Sequence, residues 1–173
     1  MRSRTRPSLE DVWRRLAEIP DREIPVISLV DLGVIREVDW DGETLVVGVA
    51  PTYTGCPATS VINLDIEGSL RKFGVERLRL ERRLSPPWTT DWIKPEAREK
   101  LRAYGIAPPV GDGAEHPRIK ARIEALSGAR LEIACPRCGS MNTQKISQFG
   151  STPCKANYRC AACLEPFEYF KCI

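Results

Sequence analysis

Val34–Ala50 reads VIREVDWDGETLVVGVA, and this stretch decides the fold. Two runs rich in strand formers flank Asp41-Gly42, a dipeptide suited to a tight hairpin turn. Leu45, Val47 and Val49 recur at every second position and should face a core. Upstream, Ser8-Leu-Glu-Asp11 has the form of a helix start, with the serine hydroxyl placed to cap free amides. Leu9, Val12, Trp13, Leu16 and Ile19 then recur at helical spacing until Pro20 stops the run. Downstream, Pro57 suits the first turn of a second helix with the apolar stripe Ile62, Ile66, Leu70 and Phe73, and Gly74 suits its C-terminal cap. Residues 77–84, RLRLERRL, alternate like a third strand. The order helix, strand, strand, helix, strand predicts a small α+β domain ending near Leu84.

Residues 85–110 read SPPWTTDWIKPEAREKLRAYGIAPPV, an extended arm followed by a short helix from about Pro95 to Tyr104. Trp88 and Trp92 are expected to pack on the first domain, and Val110–His116 reads as a flexible linker. The domain organisation expected is therefore 1–107 for the α+β domain with its arm and helix, 108–132 for a linker, and 133–173 for a cysteine-rich β domain. Arg118, Lys120, Arg122 and Arg130 read as a solvated surface, and no internal repeat is visible.

Composition bounds the function. The 173 residues are 42% apolar with a net charge of +3, enough for a packed core and too mild a charge to imply nucleic acid. No run approaches the roughly 18 apolar residues of a membrane span, and the charged start MRSRTRPS is not a secretory signal. A cytoplasmic, reducing location is expected, so seven cysteines point to metal or thiol chemistry rather than disulfides. The single histidine, His116, removes most Ser–His–Asp and Cys–His schemes.

Six of those cysteines follow position 134. Two C-x-x-C pairs, Cys135/Cys138 and Cys160/Cys163, are separated by 21 residues. Each pair can sit in a tight turn whose amides point at the thiolates, and strands between them can bring four thiolates around one ion, as a structural zinc requires. CPRCGS and the aromatic strand FEYF fit a zinc ribbon, and so short a tail needs such a staple to fold. Cys154 and Cys172 are two further thiols. Cys154 allows a rival ligand spacing, C-x2-C-x15-C-x5-C, ending at Cys160, although the symmetric pairs make the better knuckles. Spacing alone does not choose zinc over a rubredoxin-like iron or an Fe–S cluster.

The seventh cysteine stands alone in TYTGCPAT, residues 52–59. An isolated cysteine ordinarily packs as a small hydrophobe. Here Gly55 lets the backbone turn and Pro57 opens a helix, so Cys56 is expected at the helix N-terminus, where free amides favour a thiolate. Thr52, Thr54 and Thr59 offer hydroxyls to a sulfur or a cluster sulfide.

DREIPVISLVDLGVIREV (21–38) followed by PTYTGCPAT (51–59) resembles the iron–sulfur assembly domain of SufT-type maturation proteins. That signature runs Asp-Pro-Glu-Ile-Pro, Asp-Leu-Gly, Thr-Gly-Cys-Pro. Asp21, Glu23, Pro25, Asp31, Gly33, Gly55, Cys56 and Pro57 match it, and Arg22 stands where the family usually has proline. With WTTDWI, YGIAPP, CPRCGS, FGSTPCK and CLEPFEYFKCI, the whole chain resembles the D subunits of bacterial phenylacetyl-CoA ring-1,2-epoxidase systems, which act in aerobic phenylacetate degradation. The resemblance implies an accessory or maturation subunit that helps assemble iron or Fe–S centres, with the epoxidase's oxygenase and reductase subunits as partners. It implies iron or cluster handling at Cys56, with Asp31 and Thr54, beside a structural zinc on Cys135, Cys138, Cys160 and Cys163. The chain is not expected to be the catalyst: it lacks the Glu-x-x-His pair of di-iron bundles and a Gly-rich dinucleotide fingerprint. An electron-transfer protein with iron on the C-terminal cysteines is the alternative. A nucleic-acid-reading ribbon is disfavoured, because basic and aromatic residues are not interleaved along one strand.

Overall fold

β1 (Ile35–Asp41) and β2 (Thr44–Val49) form the expected antiparallel hairpin, with its turn one residue later than Asp41-Gly42. Asp41 pairs with Thr44, so Gly42 and Glu43 make the loop. Gly42 takes φ +58, a left-handed conformation that costs a residue with a Cβ roughly 1–2 kcal/mol. The computed structural model describes residues 6–53, 55–110 and 132–171. Their chain divides into two compact units, Met1–Trp88 and Thr89–Ile173.

In the first unit, Leu45, Val47 and Val49 are buried as their alternation requires. α1 (Leu9–Ala17) starts as read, the Ser8 hydroxyl accepting from the Asp11 amide at 3.1 Å. It buries Val12 and Leu16, and Ile19 just beyond it is also buried. α2 (Thr59–Lys72) presents Ile62, Ile66 and Leu70 to the same core. Phe73, expected in that stripe, is instead the C-cap residue and 38% exposed. Gly74 follows it, its amide donating to Arg71 O while Val75 N donates to Leu70 O, the paired closure that ends many helices. Parallel neighbours in a sheet need a crossover, and α2 supplies it between β2 and β3 (Leu78–Arg82), giving the order β1-β2-β3.

The segment between Ile19 and Val34 is a folded loop. The Asp21 carboxylate accepts from the amides of Glu23 and Ile24, both at 2.9 Å, which explains an aspartate at that point of the motif. Trp88 packs on this unit as expected, 5% exposed, its indole N–H donating to Leu32 O at 3.0 Å.

The second unit begins with a 3-10 turn at Thr90–Trp92 and α3 (Pro95–Tyr104), the helix read from the sequence. Ile106 and Ala107 form the short β4, which pairs in parallel with β7 (Pro166–Phe170). The arm's helix, read from the sequence as part of a first domain ending at 107, falls in the C-terminal unit, and the unforeseen β4 follows it there. A two-residue strand leaves no periodicity to read, so its pairing has no sequence signal. With β5 (Thr143–Ser147) and β6 (Lys155–Cys160) the sheet order is β4-β7-β6-β5. Its core gathers Ala107, Ile133, Ala156, Tyr158, Phe167 and Tyr169 with Cys135 and Cys160. Tyr158 stacks on Phe167 and meets Tyr169 edge-on. The linker heart and its basic residues, His116 included, lie outside the described residues. Among the described residues no helix is long and apolar enough to cross a membrane.

Candidate functional site

Two backbone turns build the cysteine cluster. In the first, Gly139 N donates to Cys135 O and Cys135 N to Ser140 O, both at 2.9 Å. In the second, Cys160 N donates to Glu165 O at 2.9 Å and Cys163 N reaches Cys160 Sγ at 3.5 Å. Pairing of Thr143 with Cys160, and Ala161 N donating to Asn142 O at 2.8 Å, clamp the turns together. The sulfurs of Cys135, Cys138, Cys160 and Cys163 all lie within 4.8 Å of one another. Cys135 Sγ is 3.7 Å from Cys163 Sγ, and Cys138 Sγ is 3.6 Å from Cys160 Sγ. A tetrahedral zinc with Zn–S near 2.3 Å requires sulfurs about 3.8 Å apart, so the donor set fits that ion in number, chemistry and spacing.

The electrostatics of Cys138, Cys160 and Cys163 fit the same use. The Cys163 amide, the Ala162 amide and two neighbouring thiols outweigh burial to draw the Cys160 thiol down to about 6. Cys163 is helped toward ionisation by the Glu165 amide, yet burial and the thiols of Cys138, Cys160 and Cys135 push it up to about 12. Cys138 also moves up, the Ser140 amide and Cys163 being outweighed by burial, Cys160 and Cys135. Four adjacent sulfurs resist ionising together; a divalent cation at their centre removes that cost.

Cys154 is not among them. It precedes the opposite end of β6 from Cys160, about 20 Å away at strand rise. Its buried sulfur lies 3.0 Å from Thr152 Oγ1, and its carbonyl accepts from Lys171 N. Cys172 lies outside the described residues. Beside Cys154 sits a feature that sequence reading missed: Lys155, 4% exposed at its side chain, pairs with Glu168 at 2.8 Å.

Cys56 is half-buried in a turn whose amide donates to Tyr53 O at 3.2 Å. α2 begins at Thr59 rather than Pro57, with Ala58 as its cap residue and no side-chain cap bond. Cys56 therefore precedes the helix by three residues. Its carbonyl, not its sulfur, takes the Thr59 amide at 3.2 Å and the Thr59 hydroxyl at 2.8 Å. Thr54 lies outside the described residues. Asp31, half-buried, sits in the turn before β1, its amide donating to Ser28 Oγ at 3.0 Å. Ala50 N donates to Val34 O at 2.8 Å, so the Asp31 turn and the Cys56 turn leave the same end of the hairpin, opposite Gly42.

Arg22 grips Asp65 of α2 with two hydrogen bonds, and each holds the other's charge: Arg22 is raised and Asp65 lowered from their ordinary values, the mutual hydrogen bond being the main cause. The pair borders a cleft of about 550 Å³ that Ile19, Pro25 and Leu64 also line. A partner 43 positions away gives no local signal in sequence.

Known proteins resemble each part of the chain. A family model described as "Iron-sulfur cluster assembly protein" matches residues 9–76, and one described as "PaaD zinc beta ribbon domain" matches residues 120–171. A protein of Escherichia coli (strain K12) that bears the name "Putative 1,2-phenylacetyl-CoA epoxidase", as its D subunit, is 46% identical over 167 residues, 96% of this chain and 94% of the relative. A conserved hypothetical protein of Thermotoga maritima is a similar solved structure at TM-score 0.48 and 31% identity, covering 56% of this chain and 95% of that one. A domain of unknown function from Bacillus anthracis aligns at TM-score 0.49 and 22% identity, covering 53% of this chain and 89% of that one.

Proposed function

This chain belongs to the family of 1,2-phenylacetyl-CoA epoxidase D subunits, and from that premise we propose that it is an accessory subunit that assists iron or Fe–S centre assembly in the epoxidase's oxygenase and reductase subunits. The observation that carries the reading is the separation of its thiols. The four-cysteine cluster is complete within the second unit without Cys56. One half-buried thiol is therefore left in the unit whose sequence matches iron–sulfur assembly proteins.

Cys56 is the residue that would meet iron or a cluster in transit, with Asp31 in the turn before β1 and Thr54 two positions before it in sequence as the further candidates. A thiol is a soft ligand suited to iron, and a site with one such ligand releases what it takes. Cys135, Cys138, Cys160 and Cys163 would hold a resident zinc. A zinc held there would neutralise the four sulfurs and secure the two turns; the turn amides orient the sulfurs and the aromatic core shields Cys135 and Cys160. The chain's single histidine supports a role outside the oxygenation step.

Two measurements test this. The oxygenase and reductase subunits produced with this chain should carry more iron than those produced without it; equal loading would reject the assembly role. Protein purified in air should be colourless with zinc near one per chain. Stable iron with visible absorption on the C-terminal cysteines would replace the reading with electron transfer.

A further inference from the structure

The four sulfurs are not equivalent. Cys135 and Cys160 are buried, whereas Cys138 and Cys163 are exposed, one in each knuckle. Two sulfur–sulfur contacts, at 3.6 and 3.7 Å, run between knuckles, and each joins an exposed sulfur to a buried one, Cys138 to Cys160 and Cys163 to Cys135. Within the knuckles the backbone bonds of Cys135, Gly139 and Cys160 close each C-x-x-C turn. A small oxidant from solvent thus meets an exposed sulfur first, and the buried sulfur facing it belongs to the other knuckle.

We propose that the metal site is also a peroxide-sensitive clasp, in which oxidation begins at Cys138 and Cys163 and closes disulfides between the knuckles, Cys138 to Cys160 and Cys163 to Cys135, releasing the ion. The inference rests on the zinc reading of the four thiols. The Cys138 thiolate attacks one oxygen of hydrogen peroxide; an S–O bond forms, the O–O bond breaks and hydroxide leaves, and the transferred oxygen keeps its hydrogen, so the sulfur becomes a sulfenic acid. The Cys160 thiolate then attacks that sulfur, the S–S bond forms, the S–O bond breaks and a second hydroxide leaves. The two sulfurs together lose two electrons, and the two peroxide oxygens gain them. The sulfurs must close from 3.6 Å to the disulfide length of about 2.05 Å, a movement that withdraws both from the ion. Two remaining thiolates cannot complete a tetrahedral set. Cys163 and Cys135 follow by the same two steps. A thiol reductant returns all four ligands, so the clasp is reversible while oxidation stops at the disulfide.

The experiment uses the full chain as purified with its zinc, exposed to one to two equivalents of hydrogen peroxide (roughly the stoichiometry of one or two disulfides). Released zinc is followed with a chromogenic chelator, sulfenic acid is trapped with a cyclic diketone, and disulfides are located by proteolysis and mass spectrometry. Expected are diketone adducts on Cys138 and Cys163, zinc release in step with peroxide, and linked peptides joining 138 to 160 and 135 to 163. Thiol reductant should then restore zinc uptake. Adducts on Cys135 or Cys160, disulfides inside either C-x-x-C pair, or zinc retained while Cys56 oxidises would each overturn the clasp. Zinc content before peroxide is measured on the same sample, so absence of zinc at the outset counts against the metal assignment rather than against the order of oxidation.

Discussion

Gly139 and Leu164 occupy the same place in the two knuckles, each directly after the second cysteine, and both have positive φ, +73 and +64. The turn demands that conformation in order to aim its amides, and only glycine adopts it without a Cβ clash. Nothing lies within 4 Å of a Cβ added at Gly139, so the cost there is conformational alone. Gly139→Ala should destabilise the zinc-loaded ribbon by about 1 kcal/mol. Leu164→Gly relieves the same strain, offset in part by greater freedom of the unfolded chain, and should be neutral or stabilising by about 0.5 kcal/mol. Thermal midpoints of the two variants at equal zinc loading check both, and destabilisation by Leu164→Gly would show that the exposed leucine is held by packing. Glycine after C-x-x-C was legible in CPRCGS, whereas CAACLE hides the equivalent turn behind a leucine. Cys56 was legible as a thiol near a helix, but not as one whose carbonyl meets the helix. Side-chain and carbonyl roles at a helix start differ by a two-residue shift, below the resolution of a proline-based reading of the boundary.

At the scale of elements, β6 and β7 are joined by more than their ladder. Lys155 reaches across to Glu168, whose other oxygen accepts from Ser151 N at 2.7 Å. Burial pushes the Glu168 carboxyl up, but the Lys155 and Ser151 hydrogen bonds outweigh it and hold the group below the ordinary carboxylate range. A depressed folded pKa means stability that is present above the unfolded value, near 4.3, and lost as pH falls through the lower folded one. Glu168→Gln should therefore destabilise the ribbon at neutral pH, by about 2 kcal/mol for a buried lysine left without its charge partner but open to solvent at the carboxylate. The gap from wild type should close below about pH 4. Denaturation midpoints of both proteins across pH 3–7 (roughly the span of that titration) measure it, and a constant gap would deny the charge its role. Strand FEYF and the hairpin could be read from alternation and turn chemistry. The two-residue β4 and the Lys155–Glu168 pair could not, because pairing partners far apart in sequence leave no periodic trace.

At the scale of the molecule, two units that differ in the origin of their stability share one chain. The first buries a continuous core of α1, α2 and the three-stranded sheet. The second has its aromatic core directly behind the cysteines, so its folding should be linked to the metal. Chelation should make residues 132–171 protease-sensitive while the first unit stays resistant. Cys163→Ser should release zinc and Cys154→Ser should keep it; the reverse would restore the rival ligand spacing. Both modules and the C-x-x-C pairs were visible in sequence, because periodicity and cysteine spacing are local signals. The boundary at Trp88 was not, since it depends on which sheet claims the arm. The claim that joins these parts is that the first unit's remaining thiol handles iron for partner subunits. Iron content of the oxygenase produced with the Cys56→Ala chain tests it most directly, read beside that variant's thermal midpoint. An iron-poor oxygenase with an unchanged midpoint and intact zinc is expected. A fully loaded oxygenase, with the midpoint lowered by the equivalent of roughly 1 kcal/mol, would make Cys56 a packing residue and contradict it.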